Sequence, residues 1–320
     1  MLAIHSARQP RQVIGRSLAS APGLRPCCWA TTSAPGARLS SSAASPSASP
    51  SPSPHPALTI LPDFLSKDEQ HLLLRHSLRL LDAPARSTAA SRKRRREWLR
   101  RNPDWSGPGG SGEGFLGEEA YSWEEGHFDG VIRRYREMLV REGMWDLPQP
   151  SPSSSPAGEG TQPETEQLDA ALQKVYALLP PPSQDPNTSP SSASSLSASP
   201  PPHLILHLLH LSSTGAIFPH VDNLDAFGHT IVGISLGGER IMHFKRTEDT
   251  AEEAAVADPE AGPSEFEVLL EPGSAYIQRE PLRTYYTHEV LEGGGWDGRP
   301  VGGTQRLSIM LRDRLPTYQA

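Results

Sequence analysis

The chain has 320 residues, of which 36% are hydrophobic, and it combines 33 prolines with a formal net charge of −7 at pH 7. This composition predicts one folded domain of roughly 200 residues, and the acidic balance argues against a general nucleic-acid binder, which needs cations to neutralise phosphates. The adjacent Cys27 and Cys28 lie outside any segment predicted to fold, which excludes a disulfide framework or a cysteine-based zinc site in the core. No apolar run is long enough to predict a membrane-spanning helix.

The N-terminal segment 1–56 is rich in arginine, serine and alanine, and no acidic residue precedes Asp63. This composition is typical of a mitochondrial transit peptide and predicts a protein of the mitochondrion, in its matrix. The Ser-Pro repeat around residues 45–54 indicates a disordered tail, and a low-complexity tail without a targeting role remains the alternative for the whole segment. The folded domain is predicted to span 57–316, followed by a short tail, 317–320.

The first predicted helix follows Ser66, which together with Glu69 forms a capping box ahead of the leucine-rich residues 72–81. A basic cluster comes next, between Arg92 and Arg101. Such a cluster is either a solvated helix face or loop, or a contact for an anionic partner. The charge pattern of this cluster is compatible with both interpretations.

Two more helices are predicted before the chain changes character. Apolar residues between 128 and 139 recur at i, i+3, i+4 and i+7, which predicts an amphipathic helix, and residues 168–179 predict another. Segments 148–165 and 180–202, on either side of the second one, are rich in proline and serine and have no period. They cannot bury enough apolar surface to offset the entropy of ordering, so they are predicted to be disordered insertions.

From residue 203 onward the apolar pattern becomes that of strands. Gly237-Gly238 and Glu271-Pro272-Gly273 are predicted to be hairpin turns between strands. Helices followed by many short strands predict an α+β chain whose second half is a β-sandwich or jelly roll. The predicted strands cover residues 203–211, 230–236, 240–244, 265–270, 275–278, 283–290 and 305–311.

A candidate metal site begins with His220-Val221-Asp222. In an extended segment these two side chains point to the same face, where one imidazole and one carboxylate can bind one metal ion. A third ligand has to come from a distant strand, and His288 is the natural candidate. Two histidines and one carboxylate leave open positions on iron(II) for a co-substrate and dioxygen. Alone, an H-x-D pattern is a weak signal in a chain with 12 histidines.

The last predicted strand carries a second signal. Arg306, Ser308 and Arg312 fall on one face with period two, while the leucines and isoleucine between them face the other way. A buried arginine requires an anionic partner, and its planar guanidinium suits a carboxylate. An exposed strand edge with its charges in water is the alternative for this strand taken alone.

In combination these motifs resemble the AlkB family of 2-oxoglutarate-dependent dioxygenases, and its mitochondrial branch in particular. The resemblance covers most of residues 57–316 apart from the Pro/Ser insertions. The motifs that carry it are His220-Val221-Asp222, Leu270-Glu271-Pro272-Gly273-Ser274-Ala275-Tyr276-Ile277, Thr287-His288-Glu289 and the segment from Arg306 to Arg312.

The resemblance implies a double-stranded β-helix, a jelly roll supported by N-terminal helices. It also implies that 2-oxoglutarate is decarboxylated to succinate and CO2 with dioxygen while a C–H bond of a protein or mitochondrial RNA is oxidised, with a role in mitochondrial metabolism and programmed necrosis. The implied site consists of His220, Asp222 and His288 on iron(II), Arg306 on the distal carboxylate of 2-oxoglutarate, and Arg312, Tyr276 and Ser308 around the co-substrate. For Tyr276, a core tyrosine with its hydroxyl bonded elsewhere is the alternative.

Two departures weaken the case for base repair. Repair members of the family carry an acidic residue two places after the metal aspartate, where this chain has Leu224, and often asparagine where it has Ser308. A protein substrate is therefore expected in preference to nucleic acid. A demethylase of mitochondrial transfer RNA that uses the Arg92–Arg101 cluster for phosphates, and a catalytically silent jelly-roll binding protein, remain the alternatives.

Overall fold

The computed structural model describes residues 53–83, 87–105, 114–127, 129–147, 161–181, 198–223, 227–247 and 262–314. The predictions for the transit peptide, for most of both Pro/Ser insertions, for Leu224 and for the tail 317–320 lie outside these ranges. Among the helices within them, none has the length and hydropathy that crossing a lipid bilayer requires.

Four α-helices and eleven strands make up the described part of the chain. The helices are α1 (Lys67–Leu81), α2 (Ala89–Arg101), α3 (Thr161–Tyr176) and α4 (Leu282–Tyr285), with a 3-10 helix at Glu118–Ala120. The strands are β1 (Leu58–Leu61), β2 (Ile132–Val140), β3 (Leu204–His220), β4 (Phe227–Gly237), β5 (Arg240–Arg246), β6 (Glu265–Leu270), β7 (Ala275–Arg279), β8 (Tyr286–Val290), β9 (Gly293–Trp296), β10 (Arg299–Gly302) and β11 (Arg306–Arg314).

The strand order identifies the architecture. A nine-stranded sheet runs β1-β7-β4-β11-β3-β8-β5-β6, with β2 also paired to β3, while β9 and β10 form a separate hairpin. The 17-residue strand β3 pairs with β11 and β2 along its first part and with β8 near its end. It thus joins a major half (β1, β7, β4, β11, β2 and the start of β3) to a minor half (β8, β5, β6 and the end of β3).

Successive strands alternate between the two halves, as in a jelly roll. β4 lies in the major half, β5 and β6 in the minor half, β7 in the major half, β8 in the minor half and β11 in the major half. Side chains from both halves form one apolar cluster, in which Leu211 and Ile231 meet Met242 and Phe244. The predicted α+β double-stranded β-helix with supporting N-terminal helices is confirmed.

The N-terminal helices cover the outer face of the major half. Ser66 begins α1 as predicted, because its hydroxyl accepts a hydrogen bond from Glu69 N (3.2 Å) and the Glu69 carboxylate accepts one from Ser66 N (2.7 Å). Leucines of α1, such as Leu73, and of α3, such as Leu172, pack in one cluster with Ile309 of β11, and all three are fully buried. Burial of this apolar face holds the helices on the sheet.

The helix predicted between residues 128 and 139 is wrong, because the segment forms strand β2. Both faces of this strand are covered: Tyr135 packs between the two halves of the sheet, whereas Met138 packs under the helices. A bulge between Arg133 and Tyr135, with φ of 50° at Arg134, also shifts the register with β3. Because apolar residues lie on both faces of β2 and the bulge adds one residue, the spacing of the apolar residues resembles that of an amphipathic helix.

The prediction that both of these turns close hairpins is also wrong. β4 pairs with β11 and β7, and β5 pairs with β6 and β8, so Gly237-Gly238 carries the chain from the major to the minor half. The turn Glu271–Gly273 carries it back from β6 to β7. A jelly roll needs such corners, and local sequence does not distinguish them from hairpins.

Element boundaries differ from the predicted ones at three places. Residues 283–285, predicted as the start of a strand, belong to helix α4. Helix α3 begins at Thr161, inside the predicted insertion 148–165. At the end of the second predicted insertion, Ala198 is buried and its carbonyl accepts a hydrogen bond from the Tyr176 hydroxyl (2.8 Å). The residues at the C-terminal ends of both predicted insertions thus belong to the helical layer.

Candidate metal centre

Three side chains far apart in sequence meet between the two halves of the sheet. His220 ends β3 and lies opposite His288 of β8 in register, while Asp222 follows two residues after His220. The candidate ligand atoms of these three residues all lie within 4.8 Å of one another. The Nε2 atom of His288 is 3.5 Å from Oδ2 of Asp222. This arrangement is the one predicted from the H-x-D motif and the distant histidine.

The imidazole of His220 is oriented by its own strand. Its Nδ1 lies 2.9 Å from the carbonyl oxygen of Phe218. Because a carbonyl can only accept, Nδ1 donates, and the lone pair is then on Nε2. A backbone carbonyl that fixes the tautomer in this way is a common support for a metal-binding histidine.

Asp222 supplies the negative charge. Burial alone would raise the pKa of its carboxyl, but the Arg312 guanidinium, His288 and His220 outweigh burial and lower this pKa to about 2. Oδ1 accepts a hydrogen bond from Nη2 of Arg312 (3.1 Å), while the buried Oδ2 has no hydrogen-bond partner among the described residues. A buried carboxylate oxygen without a partner is costly, and a cation bound there would satisfy it.

His288 is in the form that a metal ligand requires. Burial lowers its pKa to about 4, against the opposing effect of the Asp222 carboxylate. The imidazole is therefore neutral at pH 7 and keeps a lone pair. The donor set of two neutral imidazoles and one carboxylate fits a divalent transition metal such as iron(II).

A buried arginine lies on the same inner face without an acidic partner. Arg306 is only 2% exposed. Its Nε donates to the Ser235 hydroxyl (3.2 Å) and its Nη1 donates to the Ser308 hydroxyl. Burial lowers its pKa to about 10, so it remains a cation at pH 7, and within the described ranges no carboxylate forms an ion pair with it. A cation in this position needs an anion from outside the chain.

Tyr276 borders the same space. It lies opposite Gly233 in register, where an added Cβ would come within 2.2 Å of the tyrosine ring. Only glycine leaves room for this ring. Burial raises the pKa of Tyr276, although the charges of Arg306 and Arg312 act to lower it. Its hydroxyl has no hydrogen-bond partner among the described residues and is available to a bound molecule.

The predicted alternation along β11 is confirmed. Leu307, Ile309 and Leu311 are fully buried under the helices on the outer face. Arg306 and Arg312 occupy the inner face, where Arg312 contacts Asp222 and both arginines lie near Tyr276. The structure thus brings together all seven residues singled out from the sequence, with Ser308 contacting Arg306 and Arg312 contacting Asp222.

Two contributors were not found from the sequence. Arg283, which is 1% exposed, donates to the carbonyl oxygen of Asn223 (3.4 Å) and adds positive charge near Asp222. His207 lies 3.4 Å from Arg312 through Nδ1 and Nη1. An arginine inside an apolar segment was a signal for Arg283, whereas nothing in the sequence marked His207 as a neighbour of Arg312.

Comparison with known proteins gives two curated relatives. Both are called "Alpha-ketoglutarate-dependent dioxygenase alkB homolog 7, mitochondrial": the Bos taurus protein is 34% identical over 109 residues and the Mus musculus protein 35% identical over 109 residues. Each match covers 33% of this chain and 44% of the relative. Over this matched part the chain is similar to both alkB homologues. It spans less than half the length of these relatives, and no family model matches it.

Solved structures that align with this chain share less sequence identity with it than the curated relatives do. The chain aligns with OsALKBH1 at 16% identity and a TM-score of 0.37, over 81% of this chain and 98% of that one. A Pseudomonas putida prolyl-4-hydroxylase aligns at 11% identity and a TM-score of 0.34, over 82% and 94%. These scores add nothing to the fold assignment, which rests on the strand order.

Proposed function

We propose that this chain is an iron(II)- and 2-oxoglutarate-dependent dioxygenase. The observation that carries the proposal is the convergence of His220, Asp222 and His288, together with a buried Arg306 that lacks an acidic partner and lies, like Asp222, near Tyr276. The three ligands would hold iron(II), and Arg306 would bind the distal carboxylate of 2-oxoglutarate. Bound iron(II) would supply the chemistry by which dioxygen oxidises a C–H bond of the substrate, while 2-oxoglutarate is converted to succinate and CO2.

The surrounding residues would position these groups. Ser235 and Ser308 hold the guanidinium of Arg306 in one orientation, so Ser308 acts on the arginine and not on the co-substrate. Arg312 holds Oδ1 of Asp222 and leaves Oδ2 for the metal. The Tyr276 hydroxyl would donate a hydrogen bond to the co-substrate. Burial of all of these groups excludes water and strengthens each polar contact.

The inner wall next to this site favours a protein substrate over nucleic acid. Glu137 of β2 lies opposite Leu209 of β3 on the inner face, and Glu124 is bonded to the hydroxyl of the inward-facing Tyr135. Acidic side chains on this wall oppose a phosphate backbone. Arg95 of α2 pairs with Asp82, which also pairs with Arg136 on the outer face of β2, so the arginines of this helix are badly placed to hold the phosphates of a base bound at His220.

The proposal includes the place of action. Both curated relatives are named mitochondrial, and the N-terminal composition agrees with import. We place the protein in the mitochondrial matrix, with a role in mitochondrial metabolism and programmed necrosis. Demethylation of mitochondrial transfer RNA, or a silent jelly roll that binds without turnover, would replace the proposed reaction if no protein oxidation were found.

Succinate release and melting temperature test the proposal together. Iron(II) and 2-oxoglutarate should raise the melting temperature, because both bind only the folded state. Uncoupled turnover should release succinate without any prime substrate. His220→Ala should abolish both effects, whereas His71→Ala, which removes an exposed histidine of α1, should leave them unchanged. Wild-type protein without either response is not a dioxygenase, and a melting shift without succinate identifies the silent binding protein.

A further inference from the structure

A cavity with a volume of about 640 Å³ lies between α1, α2 and the segment near the 3-10 helix. Its walls carry more arginine than any other side chain, in a protein whose net charge is negative. The arginines are Arg75, Arg79, Arg92, Arg95 and Arg96. We call this space the arginine cavity.

The two acidic residues of the arginine cavity do not neutralise it. Glu164 pairs with Arg75 (2.8 Å), and Asp82 pairs with Arg95 and, at 2.6 Å, with Arg136 from the neighbouring strand β2. Arg79 donates instead to the carbonyl oxygens of Met144, Trp145 and Asp146, and Arg92 donates to that of Ser87. The charges of the five arginines still exceed those of the two carboxylates. Within the described part of the chain, Arg96 forms no ion pair or hydrogen bond and is exposed.

The arginine cavity is separate from the candidate metal centre. Its α1 wall belongs to the helix whose leucines pack on the outer face of β11, the face opposite to Arg306. The guanidinium of Arg136, which reaches Asp82 at this cavity, lies over the ring of Tyr121 at 4.1 Å. The major half of the sheet therefore stands between the cavity and His220.

We propose that the arginine cavity binds a nucleotide: a small phosphate ester that carries a planar ring. Its volume lies within the range of about 300–1,000 Å³ that small-molecule sites occupy. Guanidinium groups bind phosphate oxygens through pairs of hydrogen bonds. The indole of Trp105 packs edge-to-face with Trp98 (6.0 Å between ring centroids), lines the cavity and is partly exposed, so a bound base would stack on it.

Titration calorimetry of the full chain with ATP in metal-free buffer tests this assignment. Arg96→Glu should weaken ATP binding about tenfold or more, which is about 1.4 kcal/mol. Arg100→Glu is the matched control, since it makes the same charge change on the same helix outside the cavity lining, and it should retain wild-type affinity. Both positions are exposed, so unchanged melting temperatures are expected and verify folding.

Three further arms decide the kind of ligand and its place. Inorganic triphosphate should bind more weakly than ATP, and equal affinity would overturn the assignment of a nucleotide. If Arg96→Glu and Arg100→Glu weaken ATP binding equally, the binding site is a surface along α2 and not the arginine cavity. Tighter binding of a single-stranded oligonucleotide than of ATP, with a steep salt dependence, would lead to the same conclusion. Arg306→Gln should leave ATP binding intact, and a loss there would move the ligand to the metal centre.

Discussion

The two faces of the major half of the sheet use arginine in opposite ways. On the outer face, the half-buried Arg136 pairs with Asp82 (2.6 Å) and stacks on Tyr121. On the inner face, Arg306 is more deeply buried but contacts only the hydroxyls of Ser235 and Ser308. A paired arginine completes the fold, whereas a buried cation without an acid costs free energy in the empty protein. This contrast supports Arg306, and not Arg136, as the arginine that would bind a ligand.

The largest expected effect on stability belongs to the outer face. Ile309→Ala removes a fully buried side chain between β11 and the helices and should lower the free energy of unfolding by about 2–5 kcal/mol. Urea denaturation measures this loss. Met310→Ala, one residue away on the partly buried inner face, is the control and should cost less. An equal cost would remove the distinction between the two faces.

A pair of methionine substitutions tests the two arginines directly. Arg136→Met leaves one bond of Asp82 unmade and should cost about 1–3 kcal/mol. Arg306→Met removes an unpaired buried charge, so the stability of the metal-free protein should stay the same or rise. The same variant should lose the increase in melting temperature with 2-oxoglutarate. A strongly destabilised Arg306→Met protein would make Arg306 a structural residue.

The smallest expected effect concerns the cap of α1. Ser66→Ala removes the side-chain bond to Glu69 N and should cost about 1 kcal/mol. Because α1 lies on the outer face, the shift in melting temperature on adding iron(II) should stay at its wild-type size. Thermal unfolding with and without the metal ion measures both quantities. A reduced shift would mean that the outer helices influence the metal centre.

Sequence reasoning succeeded where one local period decides the outcome. The alternation along β11 needs only a period of two, so it placed Arg306 and Leu307 on opposite faces before any contact was known. The capping box at Ser66 is equally local. The candidate metal centre was found because His220 and Asp222 are two residues apart and the resemblance pointed to His288.

It failed where neighbours in space decide the outcome. β2 packs apolar residues on both of its faces, so they lack the alternation of a strand and their spacing predicts a helix. The Gly237-Gly238 corner looks like a hairpin until the partners of β4 and β5 are known. The pairing of Arg136 with Asp82 depends on how α1 lies against the sheet, which no sequence pattern specifies.

The position of β11 also dictates when the metal centre can be completed. This last strand lies between β4 and β3 in the middle of the major half, and it supplies the arginine that holds Asp222. All three candidate metal ligands precede this strand in the sequence. During synthesis, the candidate metal centre therefore lacks the Arg312 contact to Asp222 until β11 has been made and has paired with β4 and β3.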